Sequence, residues 1–194
     1  AVILPLRGDQ SLSSMDSDLS LLRSIASSSP LSIGGGIRSI DDLECIADLP
    51  VERVMISSAI ITQNWRLFDE LQKRFGAQAI QSILPIREIN SELLVYNSMG
   101  QEFIPFSTLD LGIIQKTSNE MIIYDTQADG LSDCFNFERL KKLNLDYSKT
   151  LITGGVGEKS IKTAHDIGLA GCIVDNRVLH REDTINAYKR KSHL

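Results

Sequence analysis

Residues 31–47 read LSIGGGIRSIDDLECIA, and this stretch decides the fold. Its apolar start at residues 31–33 is typical of a buried strand, and three glycines follow it directly. Ser39 then precedes a helix pattern, with two aspartates in the first turn, where the helix dipole favours negative charge. A strand, a glycine-rich turn and a helix in this order predict one βα unit.

The same alternation of apolar runs and helix patterns continues along the rest of the chain. The apolar runs lie at residues 2–6, 31–33, 51–56, 79–85, 121–124, 151–153 and 171–174. The helix patterns lie between them, at residues 18–27, 39–47, 65–75, 136–142 and 160–167. Strands that are apolar throughout are typical of a parallel sheet covered on both faces, so the chain is predicted to be α/β.

Residues 88–119 interrupt this alternation. Residues 93–97 and 101–103 have the pattern of two short strands joined around Met99 and Gly100. A helix pattern follows at residues 107–117. We therefore expect a small hairpin and one more helix after the strand at residues 79–85.

A weak internal repeat relates the two halves of the chain. IGGGIRSI resembles TGGVGEKSI, VMISSAII resembles IVDNRVLH, and VILPLRGD resembles IIYDTQADG, each pair about 120 residues apart. One offset shared by three strand ends predicts a duplicated half-barrel. We expect a single (β/α)8 barrel domain over residues 1–194, with a first half at 1–77 and a second half at 78–194. The second half has four βα units and the first shows three, so the first βα unit is expected to be absent from this chain.

The composition is that of an ordinary globular domain and argues against several classes of function. The chain has 194 residues, 42% of them hydrophobic, a net charge of −5 and a pI of about 5.2. Nucleic acids and anionic membranes attract a basic patch that this balance lacks, and no apolar run reaches the roughly 18 residues of a membrane span. Cys45, Cys134 and Cys172 fit neither a disulfide framework nor a CxxC metal motif. We therefore expect a cytoplasmic protein with no metal and no cofactor.

Two glycine-rich strand ends are candidate phosphate sites. In a (β/α)8 barrel the functional site lies at the carboxyl ends of the strands, where glycines let backbone N–H groups approach an anion. The alternative is that these glycines only make tight turns. The candidate phosphate-binding residues are Gly34, Gly35, Gly36, Ser57 and Ser58 in the first half, and Gly154, Gly155 and Asn176 in the second.

Five segments together resemble the histidine-biosynthesis barrel family. They read GGGIRSIDDL, VMISSAI, ADGLSD, TGGVG and GCIVDNRVL. The resemblance covers nearly the whole chain, from the family's second strand to its eighth, and within the family the ribotide isomerase is the closer match. It implies a ribotide substrate whose two phosphates are each held by one half-barrel. It also implies an aldose-to-ketose rearrangement run by a pair of aspartates acting as acid and base.

The chain departs from the family pattern at the positions that carry this reaction. The resemblance places one catalytic aspartate in the segment LPIRE, where Pro85 stands instead. Proline has no ionisable group and so cannot move a proton. Asp175 stands where the second phosphate site usually has glycine, and a carboxylate there repels a phosphate. The other catalytic aspartate belongs to the strand that is expected to be absent.

Other charged residues at strand ends are candidate replacements. Asp125 and Asp129 are the candidates for catalytic acid and base, although Asp129 also fits an Asp-Gly turn. Arg7 and Arg87 are the candidates for holding an anion.

Two functions from different classes follow. We expect a divergent relative that lacks the standard aspartate-pair isomerase activity, retains at most one sugar-phosphate site and binds a phosphorylated small molecule. The alternative is an active isomerase, or another sugar-phosphate enzyme such as a lyase or synthase, with different catalytic residues. Both functions are compatible with a homo-oligomer, because a barrel without its first strand exposes two strand edges that another copy of the chain could cover.

Overall fold

The computed structural model describes residues 2–3, 12–26 and 30–174, in which helices and strands alternate. The strands are β1 (Val2–Ile3), β2 (Ser32–Gly34), β3 (Arg53–Ile56), β4 (Ile80–Ile89), β5 (Glu92–Asn97), β6 (Glu102–Pro105), β7 (Glu120–Asp125), β8 (Thr150–Thr153) and β9 (Gly171–Cys172). The α-helices are α1 (Asp16–Ala26), α2 (Ile40–Ala47), α3 (Ser58–Ile61), α4 (Trp65–Phe75), α5 (Leu111–Thr117), α6 (Phe137–Lys141) and α7 (Glu158–Asp166). Short 3-10 turns lie at Leu12–Met15, Ala77–Ala79, Phe106–Thr108 and Tyr147–Lys149.

The predicted fold class is confirmed. Each of the seven apolar runs contains a strand, and the strands pair in parallel as the βα units of a (β/α)8-type fold require. Residues 4–6, the rest of the strand predicted at residues 2–6, lie outside the described part of the chain.

The chain divides into two compact units. The first contains the described residues up to Ile83, together with Asn97–Glu102 and Gly112–Asn119. The second contains Leu84–Tyr96, Phe103–Leu111 and the described residues from Glu120 onward. The single domain over residues 1–194 stays a prediction.

In the first unit the strands follow the order β1-β2-β3-β4. The parallel register places Ile33 beside Val54, and Val54 beside Ile80. Amphipathic helices supply the rest of this core, since their apolar residues recur at helical spacing and face inward. The buried apolar residues of α2 and α4 are Leu43, Ile46, Leu67, Phe68 and Leu71.

In the second unit the order is β4-β7-β8-β9, and β5 and β6 extend from β4 as a hairpin. The parallel register of β7 and β8 places Ile122 beside Leu151 and Ile123 beside Ile152. The hairpin confirms the strands predicted around Met99 and Gly100. The buried apolar residues of this unit include Ile86, Val95, Ile122, Leu140 and Ile152.

The predicted end of β4 was wrong, because the strand continues past Pro85 to Ile89. Its last four residues pair antiparallel with β5, starting at Ile86 opposite Val95. Proline lacks an N–H donor and so interrupts a ladder only where that donor is needed. Pro85 lies before the residues of β4 that pair with β5, so this antiparallel pairing does not need the missing N–H and the strand continues past Pro85.

Two helical segments also differ from their predictions. The helix expected at residues 107–117 is split into the 3-10 turn Phe106–Thr108 and α5, because the buried Leu109 between them has an extended backbone (φ −89°, ψ 136°). Helix α3 was not predicted, since four residues are too few to show a helical period.

Candidate functional site

The first-half glycine loop begins where β2 ends. A Cβ on the buried Gly34 would lie 2.8 Å from the Cβ of Met55 on the neighbouring strand, so glycine lets the two strands approach. Gly35 and Gly36 have φ values of 92° and 72°, in the left-handed region that favours glycine. Both are half-buried, so part of their backbone is accessible to a ligand at this strand end.

The N-terminus of α2 is filled by the chain's own carboxylate. Asp42 Oδ2 accepts hydrogen bonds from the backbone N–H groups of Arg38 at 3.0 Å and Ser39 at 2.8 Å. The backbone N–H of Asp42 donates in return to Ser39 Oγ at 3.3 Å, which completes a capping box. Three backbone N–H groups at this end of α2 are therefore already occupied, and the negative charge of Asp42 opposes an anionic ligand there.

The two serines after β3 differ in what their hydroxyls do. Ser58 is buried, and its hydroxyl donates to the carbonyl oxygen of Ile37 at 3.5 Å, a long bond that links it to the glycine loop. Ser57 is half-buried, and its side chain makes no capping hydrogen bond to α3. Of the two predicted phosphate ligands, Ser57 is the one whose hydroxyl is available.

The second-half glycine loop is packed against the chain that follows β7. A Cβ on Gly154 would lie 2.3 Å from the carbonyl oxygen of Asp125, and one on Gly155 would lie 2.6 Å from the carbonyl oxygen of Ala128. The carbonyl oxygen of Gly155 accepts hydrogen bonds from the N–H groups of Cys134 and Phe135, at 2.9 and 3.1 Å. Here the glycines permit close approach of two backbones, which supports the structural alternative at this loop.

The segment that follows β7 also caps α7. Asp133 Oδ1 accepts from the backbone N–H of Ser160 at 3.0 Å and from its hydroxyl at 3.2 Å. A Cβ on Gly157 would lie 2.5 Å from the same oxygen, so glycine makes room for this carboxylate. Asn176 and Asp175, the other predicted parts of the second phosphate site, lie outside the described residues.

The Asp125 carboxylate, a candidate acid or base, is fully buried and saturated with hydrogen bonds. Its Oδ1 accepts from the backbone N–H groups of Gln127 and Ala128, at 3.1 and 3.3 Å. Its Oδ2 accepts from the N–H of Asn136 at 3.3 Å and from Nη1 of Arg139, which forms an ion pair with it. This arrangement fixes the segment after β7, and a substrate would have to displace a donor to reach the carboxylate.

Asp129, the other candidate, is exposed and lies in a turn beside Gly130, whose φ is 77°. Its Oδ2 accepts a hydrogen bond of 2.8 Å from the Tyr124 hydroxyl. Burial, with a smaller contribution from the hydrogen bond and the negative charge of Asp129, raises the pKa of the Tyr124 phenol to about 12. Tyr124 therefore stays protonated near neutral pH and donates to Asp129.

The carboxyl end of β4 carries a cation two residues after Pro85. The Arg87 guanidinium carbon lies 4.3 Å from the centre of the Phe103 ring, and that ring in turn packs on Tyr96 with ring centres 5.0 Å apart. The next residue, Glu88, belongs to another group of charges. Glu88 binds Nζ of Lys142 at 2.6 Å and lies 3.7 Å from Nε of Arg139.

Sequence reasoning missed Arg139 and Asp133, which organise the segment after β7. Arg139 follows Asp125 by 14 positions, and Asp133 precedes Ser160 by 27. Neither spacing is a local motif, so no signal in the sequence points to these pairs.

Two structural features were not found among the described residues. No group of three histidine, cysteine, aspartate or glutamate side chains there is placed to hold a metal ion. No helix in the described ranges is both long enough and apolar enough to span a membrane. His165 is exposed on α7, whereas His180 and His193 lie outside the described residues, as does Arg7.

Comparison with known proteins places the chain in a family. A family model described as "Histidine biosynthesis protein" matches residues 6–184. The imidazole glycerol phosphate synthase subunit HisF of Wolinella succinogenes is 28% identical over 172 residues, which is 83% of this chain and 65% of the relative. The HisF subunit of Campylobacter concisus is 25% identical over 147 residues, 74% of this chain and 58% of the relative. The HisF subunit of Sulfurisphaera tokodaii is 26% identical over 132 residues, which is 66% of this chain and 53% of the relative.

These matches span between about half and two thirds of the length of each relative. All three relatives carry the name of the synthase subunit, not that of the isomerase that the sequence motifs favoured. The family resemblance itself is confirmed by the match over residues 6–184, together with the parallel βα units. The chain therefore belongs to the histidine biosynthesis protein family.

Proposed function

We propose that this chain is a divergent histidine-biosynthesis-type barrel protein that binds a phosphorylated small molecule without running the aspartate-pair reaction. The observation that carries the proposal is Pro85, which stands in β4 where the family resemblance implies a catalytic aspartate. The nearby buried carboxylate does not compensate for it, because Asp125 is paired with Arg139 and bonded to three backbone N–H groups.

The first-half strand ends are the better candidate phosphate site. Gly35 and Gly36 present a half-buried backbone, and the Ser57 hydroxyl is available beside the loop. At the second-half loop, Gly155 is buried against Ala128 and hydrogen-bonded to Cys134 and Phe135. A phosphate at the second loop would have to displace these contacts, whereas Gly35 and Gly36 of the first loop are only half-buried.

The phosphate site is tested by placing a negative charge in it. Ser57→Asp is expected to weaken binding of ribose 5-phosphate by about tenfold or more, because like charges repel in a partly buried site. Ser57 has a negative φ of −128°, so the substitution introduces no left-handed strain. Binding is measured by isothermal titration calorimetry.

The matched control is Ser107→Asp, which adds the same charge at an exposed serine of the other unit. It is expected to leave the affinity unchanged. Equal affinity in the wild type and in Ser57→Asp would contradict the proposed site.

Turnover of the ribotide implied by the family resemblance is expected to be slow. A general acid or base contributes about 10²–10⁴-fold to a rate, so the lack of one at position 85 should cost about that much. Pro85→Asp is expected to raise the rate if the rest of the site is retained. The measurement is the steady-state rate of both proteins, with Pro85→Asn as the control that restores the N–H without a titratable group.

The alternative is a synthase-type enzyme subunit that uses other residues, and the names of the HisF relatives favour it. Under this alternative the chain works with a partner protein, and Asp129, which is exposed and hydrogen-bonded to the half-buried Tyr124, is the remaining acid–base candidate. Wild-type turnover near the median enzyme value of about 10 per second would favour the alternative over the proposal.

A further inference from the structure

Arg87 on β4 is held in one orientation by an aromatic ring. Its guanidinium carbon lies 4.3 Å from the centre of the Phe103 ring, which Tyr96 supports from the side. A guanidinium that lies over an aromatic ring is attracted by the ring's electron-rich face, and this contact uses none of its N–H groups as a hydrogen-bond donor. The contact therefore fixes the position of the charge without neutralising it.

No carboxylate among the described residues neutralises Arg87. Its Nε is buried and has no acceptor, and no ion pair joins its guanidinium to the described part of the chain. The adjacent carboxylate, Glu88, is bound by Lys142 and approached by Arg139 instead. A half-buried cation that lacks an acceptor is unfavourable, and one cation–π contact compensates for little of this.

The position of this cation matters because it follows Pro85 by two residues. Successive side chains of a strand point to opposite faces, so residues 85 and 87 of β4 share one face. That face has lost the carboxylate that the family resemblance implies and carries a positive charge at the strand end. Arg87 is the charged residue on this face of β4, whose other members are Gln81, Ile83, Pro85 and Ile89, so the face attracts an anion.

We propose that Arg87, held on Phe103, binds an oxyanion group of a small-molecule ligand, either a phosphate or a carboxylate. Both groups match the guanidinium fork, which binds two oxygens side by side through parallel N–H bonds. The site is built from residues other than the glycine loop, so it does not depend on the phosphate site proposed above.

The buried Nε of Arg87 supplies a direct readout. An N–H proton that is shielded from solvent exchanges slowly with water, so the Nε–H of Arg87 is expected to give a signal in a ¹H–¹⁵N NMR spectrum. The variant Arg87→Gln removes this signal and thereby identifies it. Titration with inorganic phosphate, and separately with malonate, at constant ionic strength is expected to shift this signal to saturation. The stronger of the two responses identifies the class of oxyanion.

Two variants make the test specific. Arg87→Gln is expected to weaken the same titration by about tenfold or more, followed through the backbone signals of Ile86 and Glu88. Arg66→Gln removes an exposed arginine of α4 and is expected to change nothing. Ser57→Asp is also expected to leave the Arg87 response intact, which separates this site from the other.

Three results would overturn the proposal. They are the absence of a shift with either anion at tens of millimolar, unchanged affinity in Arg87→Gln, and an equal loss in Arg66→Gln. If Arg87→Gln does not fold, the wild-type titration still decides, with the signals of the exposed Arg66 as the internal reference for non-specific binding.

Discussion

Replacing Arg139 with methionine is expected to lower the free energy of unfolding by about 3–5 kcal/mol. The reason is that Asp125 is fully buried, and Arg139 is the only cation paired with it among the described residues. Methionine keeps most of the side-chain volume, so the loss comes from a buried carboxylate left without its counter-charge. The measurement is denaturant unfolding followed by circular dichroism at neutral pH.

The size of this effect distinguishes a buried ion pair from an exposed one. Arg74→Met removes the partner of Glu44, whose side chain is 63% exposed, and is expected to have a much smaller effect. The double variant Asp125→Asn with Arg139→Met removes both charges and is expected to recover part of the lost stability. Equal losses in Arg139→Met and Arg74→Met would show that Asp125 does not depend on its partner.

Gly154→Ala is expected to destabilise the protein by about 2–5 kcal/mol. Part of this is the cost of a left-handed backbone, since φ is 84°. The rest arises because the new Cβ would lie 2.3 Å from the carbonyl oxygen of Asp125, which forces two backbones apart. Denaturant unfolding measures the sum of both effects.

Gly168→Ala separates the two contributions. Gly168 has nearly the same φ, 81°, but nothing lies within 4 Å of an added Cβ. Its substitution is expected to cost only the backbone part, about 1–2 kcal/mol. Similar losses at the two positions would mean that the segment after β7 yields readily, contrary to the packing described above.

Much of the fold was predictable, because it depends on local periodicity. The apolar, β-branched runs predicted all seven core strands, and α4 was predicted with its observed bounds, Trp65–Phe75. Helix α2 was predicted from Ser39, which caps it. The end of β4 was not predictable, because Pro85 and the charged residues after it do not have the sequence pattern of a strand. Only the pairing of these residues with β5 shows that the strand continues.

The candidate site was predictable only where the residues that directly follow a strand are of types that can bind a ligand. The glycine loop and Ser57 follow directly from the strands before them. The burial of Asp125 and its ion pair with Arg139 could not be predicted in this way, because both depend on how α6 packs. Arg87 was recognisable as a cation at a strand end, but its stacking on Phe103 requires the hairpin to bring residues 16 positions apart together.

Hydrogen bonds hold the segment after β7 along its length, so the segment is expected to open rarely. The backbone N–H and hydroxyl of Thr126 donate to the carbonyl oxygen of Ile86, at 3.0 and 2.9 Å, and Asp133 holds the far end to α7. Opening it would break these bonds together with those of Asp125, so local unfolding here is a rare, cooperative event. We therefore expect this segment to act as a fixed wall of the strand-end face, and any opening for ligand entry to come from another segment.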